Sequence, residues 1–249
     1  MENQVLYAFL ITTLAGLSTM IGSLFIFTKK KTDNIIIASL GFAAGVMTCV
    51  SFTNLIPEAS KLLMEKFYYI PALLISLIFI VIGILLSMGI DKYLPDTTNN
   101  SQLYRVGIIS MLAIILHNIP EGIATFMASN TDMTLGISLA IAIALHNIPE
   151  GISISIPIFY ATSSRLKSIF YTFISGMSEL LGAIITYLFL SKFINPLFMG
   201  MLFSLIAGIM IHISVYELIP TSFHYNNKKL TITSFTIGLI FMLINHFIF

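Results

Sequence analysis

Charge is what this sequence has least of. Asp, Glu, Lys and Arg make up only 9% of its 249 residues, whereas a soluble domain carries about a quarter. So few charges cannot cover a water-facing surface, which places the chain in the membrane class. The net charge is +1, so no global basic field is available to hold nucleic acid. Tryptophan is absent, and any aromatic belt at the membrane surface must come from the 10 Tyr. The only cysteine, Cys49, excludes an internal disulfide and any thiolate cluster. It lies in an apolar segment and reads as a small packed residue. Positive charge is also missing from the start of the chain. Glu2 comes first, and the basic cluster Lys29, Lys30 and Lys31 follows the first apolar run. A secretory signal has the opposite order, so that run is expected to stay as a helix.

What the chain does have is long apolar segments, with 57% of residues hydrophobic. A helix needs roughly 20 apolar residues to cross about 30 Å of hydrocarbon. Eight segments qualify: residues 5–28, 34–57, 69–90, 103–129, 134–161, 166–190, 196–222 and 230–248. The expectation is an all-α membrane protein with one polytopic domain over residues 1–249. The longest connection, Asp91 to Gln102, contains Pro95, Asp96, Asn99 and Asn100 and reads as a solvated loop. Loops 1–2, 3–4, 5–6 and 7–8 together carry nine Lys and Arg: Lys29, Lys30, Lys31, Lys92, Arg105, Arg165, Lys167, Lys228 and Lys229. The other side carries Lys61, Lys66 and Lys192. That imbalance makes the first side cytoplasmic and puts both termini outside.

Against this background one phrase occurs twice, in the fourth and fifth segments. His117-Asn118-Ile119-Pro120-Glu121-Gly122 is repeated as His146-Asn147-Ile148-Pro149-Glu150-Gly151. His117 and Glu121 are four apart, and Asn118 and Glu121 three apart, so all three share one helix face. Pro120 and Pro149 lack an N–H and free the carbonyls of Leu116 and Leu145. In lipid, a freed carbonyl must be satisfied by protein, water or a cation. Glu179, in the sixth segment, is a third carboxylate near the middle of its run.

A charged side chain at the bilayer centre costs roughly 2.5–3.5 kcal/mol even on lenient scales. Polar contacts between membrane helices return only about 0.6 kcal/mol on average, so a purely structural polar network compensates poorly. Imidazole, carboxylate and amide oxygen suit Zn²⁺, Fe²⁺, Mn²⁺, Co²⁺ or Cd²⁺. The two imidazoles speak against a Ca²⁺ or Mg²⁺ site built of oxygen alone. The 13 Met are scattered and read as filler. With three carboxylates present, two ions bridged by Glu121 and Glu150 would use every donor. His212 lacks a carboxylate at ligand spacing and reads as an interhelical histidine. His224 and His246 lie near segment ends.

A second repeat links segments 2 and 7. Residues 41–59 (GFAAGVMTCVSFTNLIPEA) and 204–222 (SLIAGIMIHISVYELIPTS) agree at seven of nineteen positions, including Gly45/Gly208, Ser51/Ser214 and Pro57/Pro220. Segments five apart cross in opposite directions, as do segments 4 and 5. Inverted repeats of this kind place a transported substrate near the midplane. Asn54 and Glu217 are repeat mates. Asn54, with Glu58, falls on the outer side and is expected to meet the ion on its way in. Glu217 falls on the cytoplasmic side and is expected to receive it on its way out.

Taken together, the paired HNIPEG phrases, the GFAAGVM that opens segment 2 and the ISG-x-x-E of segment 6 resemble the ZIP (Zrt/Irt-like) metal transporters, in particular their bacterial ZupT-type branch. The resemblance spans nearly the whole chain. It implies eight helices in a 3+2+3 arrangement with both termini outside, and uptake of divalent transition metals into the cytoplasm through a binuclear site. It assigns one ion to His117, Glu121, His146 and Glu150. It assigns the second to Asn118, Glu121, Asn147, Glu150 and Glu179. The family's helix 2 contributor aligns with Asn54, where such relatives often carry a carboxylate. The loop from Asp91 to Tyr104 contains no His, unlike the His-rich loop common in the family.

The reading is therefore a transporter of Zn²⁺ and related ions in a bacterial inner membrane. Its partners are the ions and the lipid bilayer, no resident cofactor is needed, and a homodimer is allowed. An intramembrane metalloenzyme using the same ligands is the alternative. The chain has no H-E-x-x-H, the pattern of a zinc protease, and an enzyme would have no need of a mirrored repeat.

Overall fold

The structure, a computed structural model, describes residues 2–27, 32–93, 99–190 and 195–248. Lys29, Lys30, Lys31, Lys192 and the Pro95–Asp96 part of the expected solvated loop lie outside the described residues. No strand occurs among the described residues. Eight helices are long and apolar enough to cross a membrane: α1 (Asn3–Phe27), α2 (Asp33–Met64), α3 (Tyr69–Ile90), α4 (Gln102–Thr131), α5 (Met133–Thr162), α6 (Arg165–Phe189), α7 (Pro196–His224) and α8 (Lys228–Ile248).

Local chemistry sets the ends that matter. Asp132 alone separates α4 from α5, and its carboxylate accepts hydrogen bonds from Thr134 N at 2.7 Å and Leu135 N at 3.3 Å. Such a cap satisfies orphan N–H groups of the new helix. The tight turn makes α4 and α5 antiparallel. His117 lies fifteen residues before Asp132 and His146 fourteen after it. At about 1.5 Å per residue both phrases sit roughly 21–23 Å from the turn, hence at the same depth. Ser163, with φ 55°, closes α5, and Ser164 caps α6 by accepting from Lys167 N.

The helices form two groups. α1, α4, α5 and α6 pack on one another, and α2, α3, α7 and α8 form the second set, joined to the first mainly through the α2–α5 and α4–α7 contacts. The contacts obey an exchange. Swap α1 with α6, α2 with α7, α3 with α8 and α4 with α5, and the touching pairs α2–α8, α1–α5 and α1–α4 become α7–α3, α6–α4 and α6–α5, which also touch. Close backbone approach follows the same rule. A Cβ on Gly45 would strike the Phe235 carbonyl of α8, and one on its repeat mate Gly208 would strike the Ile80 carbonyl of α3.

The repeat mates in α2 and α7 share a further feature. Residues Ser51–Leu55 and Ile213–Leu218 are both π-helical, just before Pro57 and Pro220. A wider turn accommodates the backbone bond that proline cannot make. These segments carry Asn54 and Glu217. By contrast, α4 and α5 continue as α-helix through Pro120, Pro149 and Pro157.

Lipid-facing surface is plain on α3, where Leu73, Leu74, Leu77, Ile78 and Leu85 are exposed. Apolar exposure on this scale suits hydrocarbon rather than water. Inside, polar side chains pair between helices: Ser76 with Ser204 at 2.9 Å, and His212 Nδ1 with Ser87 Oγ at 2.8 Å. His212 also stacks on Tyr216 and is thus an interhelical histidine, as its spacing implied.

Gly122 of α4 faces the Glu179 carbonyl of α6 so closely that a Cβ there would collide with backbone, while Gly89 has nothing within 4 Å. Gly122→Ala is expected to lower stability by about 1–3 kcal/mol, the usual cost of overpacking. Gly89→Ala should be neutral or gain up to about 1 kcal/mol. Thermal unfolding in detergent compares the two.

Candidate metal centre

Four side chains from the two phrases meet between α4 and α5. His146 Nε2 and Glu121 Oε1 are 2.9 Å apart and hydrogen-bonded. His117 Nε2 lies 3.2 Å from Glu121 Oε1 and 3.5 Å from Glu150 Oε1. These last two approaches are not aligned as hydrogen bonds, and His117 Nε2 has none. Ligand atoms of His117, Glu121 and His146 all lie within 4.8 Å of one another. A tetrahedral zinc ion with ligands at about 2.0–2.1 Å holds them roughly 3.3 Å apart, and the two imidazole nitrogens stand 2.9 and 3.2 Å from Glu121 Oε1.

The remaining residues of the phrases reach toward α6 and α1. Asn147 Nδ2 donates to Glu179 Oε1 at 2.5 Å and to the Ala15 carbonyl at 3.1 Å. Asn118 Nδ2 donates to the Ser175 carbonyl at 3.0 Å. Each amide is thereby oriented by a backbone carbonyl, which leaves its oxygen free to accept.

Burial makes this arrangement costly without a cation. Glu179, His117, Asn118 and Asn147 are 0% exposed, Glu150 1%, His146 5% and Glu121 7%. Both carboxylate oxygens of Glu150, one each of Glu121 and Glu179, and the amide oxygens of Asn118 and Asn147 have no hydrogen-bond partner among the described residues. A buried acceptor left unsatisfied costs about 1–3 kcal/mol, more when charged. Six such oxygens converge here from three helices, and a divalent cation is the ligand that satisfies oxygen acceptors and neutral imidazole together. Neither imidazole has a hydrogen-bond partner at Nδ1 among the described residues.

A cavity of about 380 Å³ opens onto this cluster. Glu121 and His146 form part of its lining, with Asn54 and Glu58 of α2 and Asn245 and His246 of α8. Asn54 is half-buried, its Oδ1 accepting from Thr53 Oγ1 at 2.6 Å. Glu58 is exposed and pairs with Lys61 at 3.6 Å. Glu217 is half-buried in its π-helical segment and does not line this cavity. The structure thus brings the seven phrase and α6 residues together, places Asn54 and Glu58 in the lining of the adjoining cavity, and leaves Glu217 outside that lining. Sequence reasoning placed His246 near a segment end, where it is indeed exposed, and passed over Asn245. Asn245 is 5% exposed, with Nδ2 3.4 Å from the Ala142 carbonyl. A buried amide near a chain end was the available signal.

The family model described as ZIP zinc transporter matches residues 95–246. A zinc transporter ZupT of Clostridium perfringens is 40% identical, covering 99% of this chain and 97% of its own. Those of Chlorobium chlorochromatii and Streptococcus mutans are each 39% identical over the full length of both chains.

Glu150→Gln keeps the shape of a side chain whose two oxygens lack partners while removing its charge. It is expected to leave the metal-free protein at least as stable as the wild type and to weaken stabilisation by added Zn²⁺. Saturation at a hundred times Kd stabilises a one-site protein by about 2.7 kcal/mol. Thermal unfolding with and without Zn²⁺ gives both quantities.

Proposed function

The chain belongs to the ZIP zinc transporter family, and we propose that it carries zinc and related divalent transition metals (Fe²⁺, Mn²⁺, Co²⁺ and Cd²⁺) into the cytoplasm of a bacterial cell across the inner membrane. It is a transporter rather than an enzyme: the ion is cargo and no resident cofactor is required. The observation that carries the reading is the convergence of unpartnered buried oxygens on two imidazoles, with a cavity leading to them.

In this reading His117, Glu121, His146 and Glu150 hold one ion. Asn118, Glu121, Asn147, Glu150 and Glu179 hold the second, so Glu121 and Glu150 bridge. Ions approach from outside past Asn54 and Glu58, exchange hydration water for protein ligands, and leave past Glu217. The eight helices adopt the 3+2+3 arrangement with both termini outside. The inverted exchange of helix contacts supports this, because a structure built of mirrored halves has two related states, one open to each side. Rocking of the α1–α4–α5–α6 group against the α2–α3–α7–α8 group would alternate access. Every ligand comes from one copy of the chain, so a homodimer is not required.

Protons and metal compete for the same atoms, since a ligating imidazole or carboxylate must be deprotonated. Zinc uptake into proteoliposomes is therefore expected to slow as the outer pH is lowered. Glu121→Ala with Glu150→Ala should reduce uptake to the level of empty liposomes. Unchanged uptake by that double variant would remove the site assignment. A metal series in the same assay ranks Zn²⁺ against Fe²⁺, Mn²⁺, Co²⁺ and Cd²⁺.

A further inference from the structure

The inverted exchange extends to a stretch that the metal reading leaves unused. Residues 15–22 of α1 (AGLSTMIG) correspond to residues 175–182 of α6 (SGMSELLG), with Gly16/Gly176, Ser18/Ser178 and Gly22/Gly182 identical. The side-chain geometry repeats with the sequence. Ser18 Oγ donates to the Ala15 carbonyl at 2.6 Å, and Ser178 Oγ donates to the Ser175 carbonyl at 2.5 Å. Asn147 Nδ2 donates to that same Ala15 carbonyl, and Asn118 Nδ2 to that same Ser175 carbonyl. Gly151 abuts the Thr19 carbonyl as Gly122 abuts the Glu179 carbonyl. Gly22 abuts Ile148 as Gly182 abuts Ile119. The surroundings of Glu179 are thus reproduced, inverted, around Thr19.

Thr19 is 0% exposed, and its hydroxyl has no hydrogen-bond partner among the described residues. That sets it apart from other helical threonines of the same two helices. Thr12 and Thr13 donate to the carbonyls of Ala8 and Phe9, and Thr172 and Thr186 to those of Ser168 and Gly182. The carbonyl four residues before Thr19, that of Ala15, already accepts from Ser18 and Asn147. An unpaired buried hydroxyl costs about 1–3 kcal/mol, so a residue with no other role would gain by being valine.

We infer that Thr19 is a positioning residue of the metal centre, its hydroxyl holding a water molecule on the transported ion at the position opposite Glu179. The inference rests on the metal reading given above. A threonine hydroxyl stands two bonds nearer its backbone than a glutamate carboxylate, a gap that one water molecule fills. The result is an uneven shell, with a full negative charge on the α6 side and a neutral, water-borne contact on the α1 side. Beyond the bridging Glu121 and Glu150, an ion held this way gains a further negative charge from the α6 side only, which favours release over permanent capture.

Thr19→Val removes the hydroxyl at constant shape, and Thr19→Ser keeps it. Zn²⁺ titration of the purified protein by calorimetry should show about tenfold or greater loss of affinity for the valine variant, as for other groups that orient a metal shell, and near wild-type affinity for the serine variant. Without metal, Thr19→Val should unfold at or above the wild-type temperature. Wild-type affinity in Thr19→Val, or equal loss in Thr19→Ser, overturns the inference. If the valine variant fails to fold, Thr19→Ala against Thr19→Ser makes the same comparison. Zinc binding by the wild type that Glu150→Gln weakens keeps the metal reading standing whatever Thr19 does. No zinc binding by the wild type overturns both.

Discussion

Glu121, Glu150 and Glu179 lie in the interior of helices long enough to span a bilayer, each less than a tenth exposed. Carboxylates cannot remain charged in such a place without a partner, and no Lys or Arg is found among the described residues that touch them. The partners are two imidazoles and the Asn147 amide. A histidine can hold a proton or a metal ion, so this set meets the charge in either of two ways. Replacing protons by a divalent ion satisfies oxygens that hydrogen bonds within the protein leave unpaired. In the proposed reading the arrangement exchanges its cation, and exchange is what transport requires.

Symmetry converts that static constraint into a path. The tight turn at Asp132 brings the two phrases to equal depth. The exchange of α1 with α6 and α2 with α7 surrounds them with equivalent backbone carbonyls. Exact equivalence would give no direction. The departures from it lie at Thr19 against Glu179 and at Asn54 against Glu217. At Thr19/Glu179 and Asn54/Glu217 a neutral side chain on one half corresponds to a carboxylate on the other, and at Glu58/Thr221 the order is reversed.

The parts legible in the sequence were those where polar chemistry interrupts an apolar run. His117 through Gly122 and its copy stand out because His, Asn and Glu at helical spacing have no business in hydrocarbon unless they meet something. The α2–α7 repeat was legible because Ser and Pro are rare enough in such helices to align. The α1–α6 repeat was not, since it shares only glycines and serines. Their common role emerges once Gly22 and Gly182 are seen against Ile148 and Ile119. The cavity-lining positions of Asn245 and His246 escaped for another reason. Their place on the cavity depends on how α8 packs on α2, and a tertiary contact between distant segments leaves no periodicity to read.

X-ray absorption at the zinc edge, on purified protein loaded with Zn²⁺, tests the central claim directly. The account predicts a shell of nitrogen and oxygen at about 2.0–2.2 Å, with the outer scattering of imidazole rings that disappears in His117→Ala with His146→Ala. A sulfur shell near 2.3 Å, or an unchanged spectrum in that double variant, would contradict it.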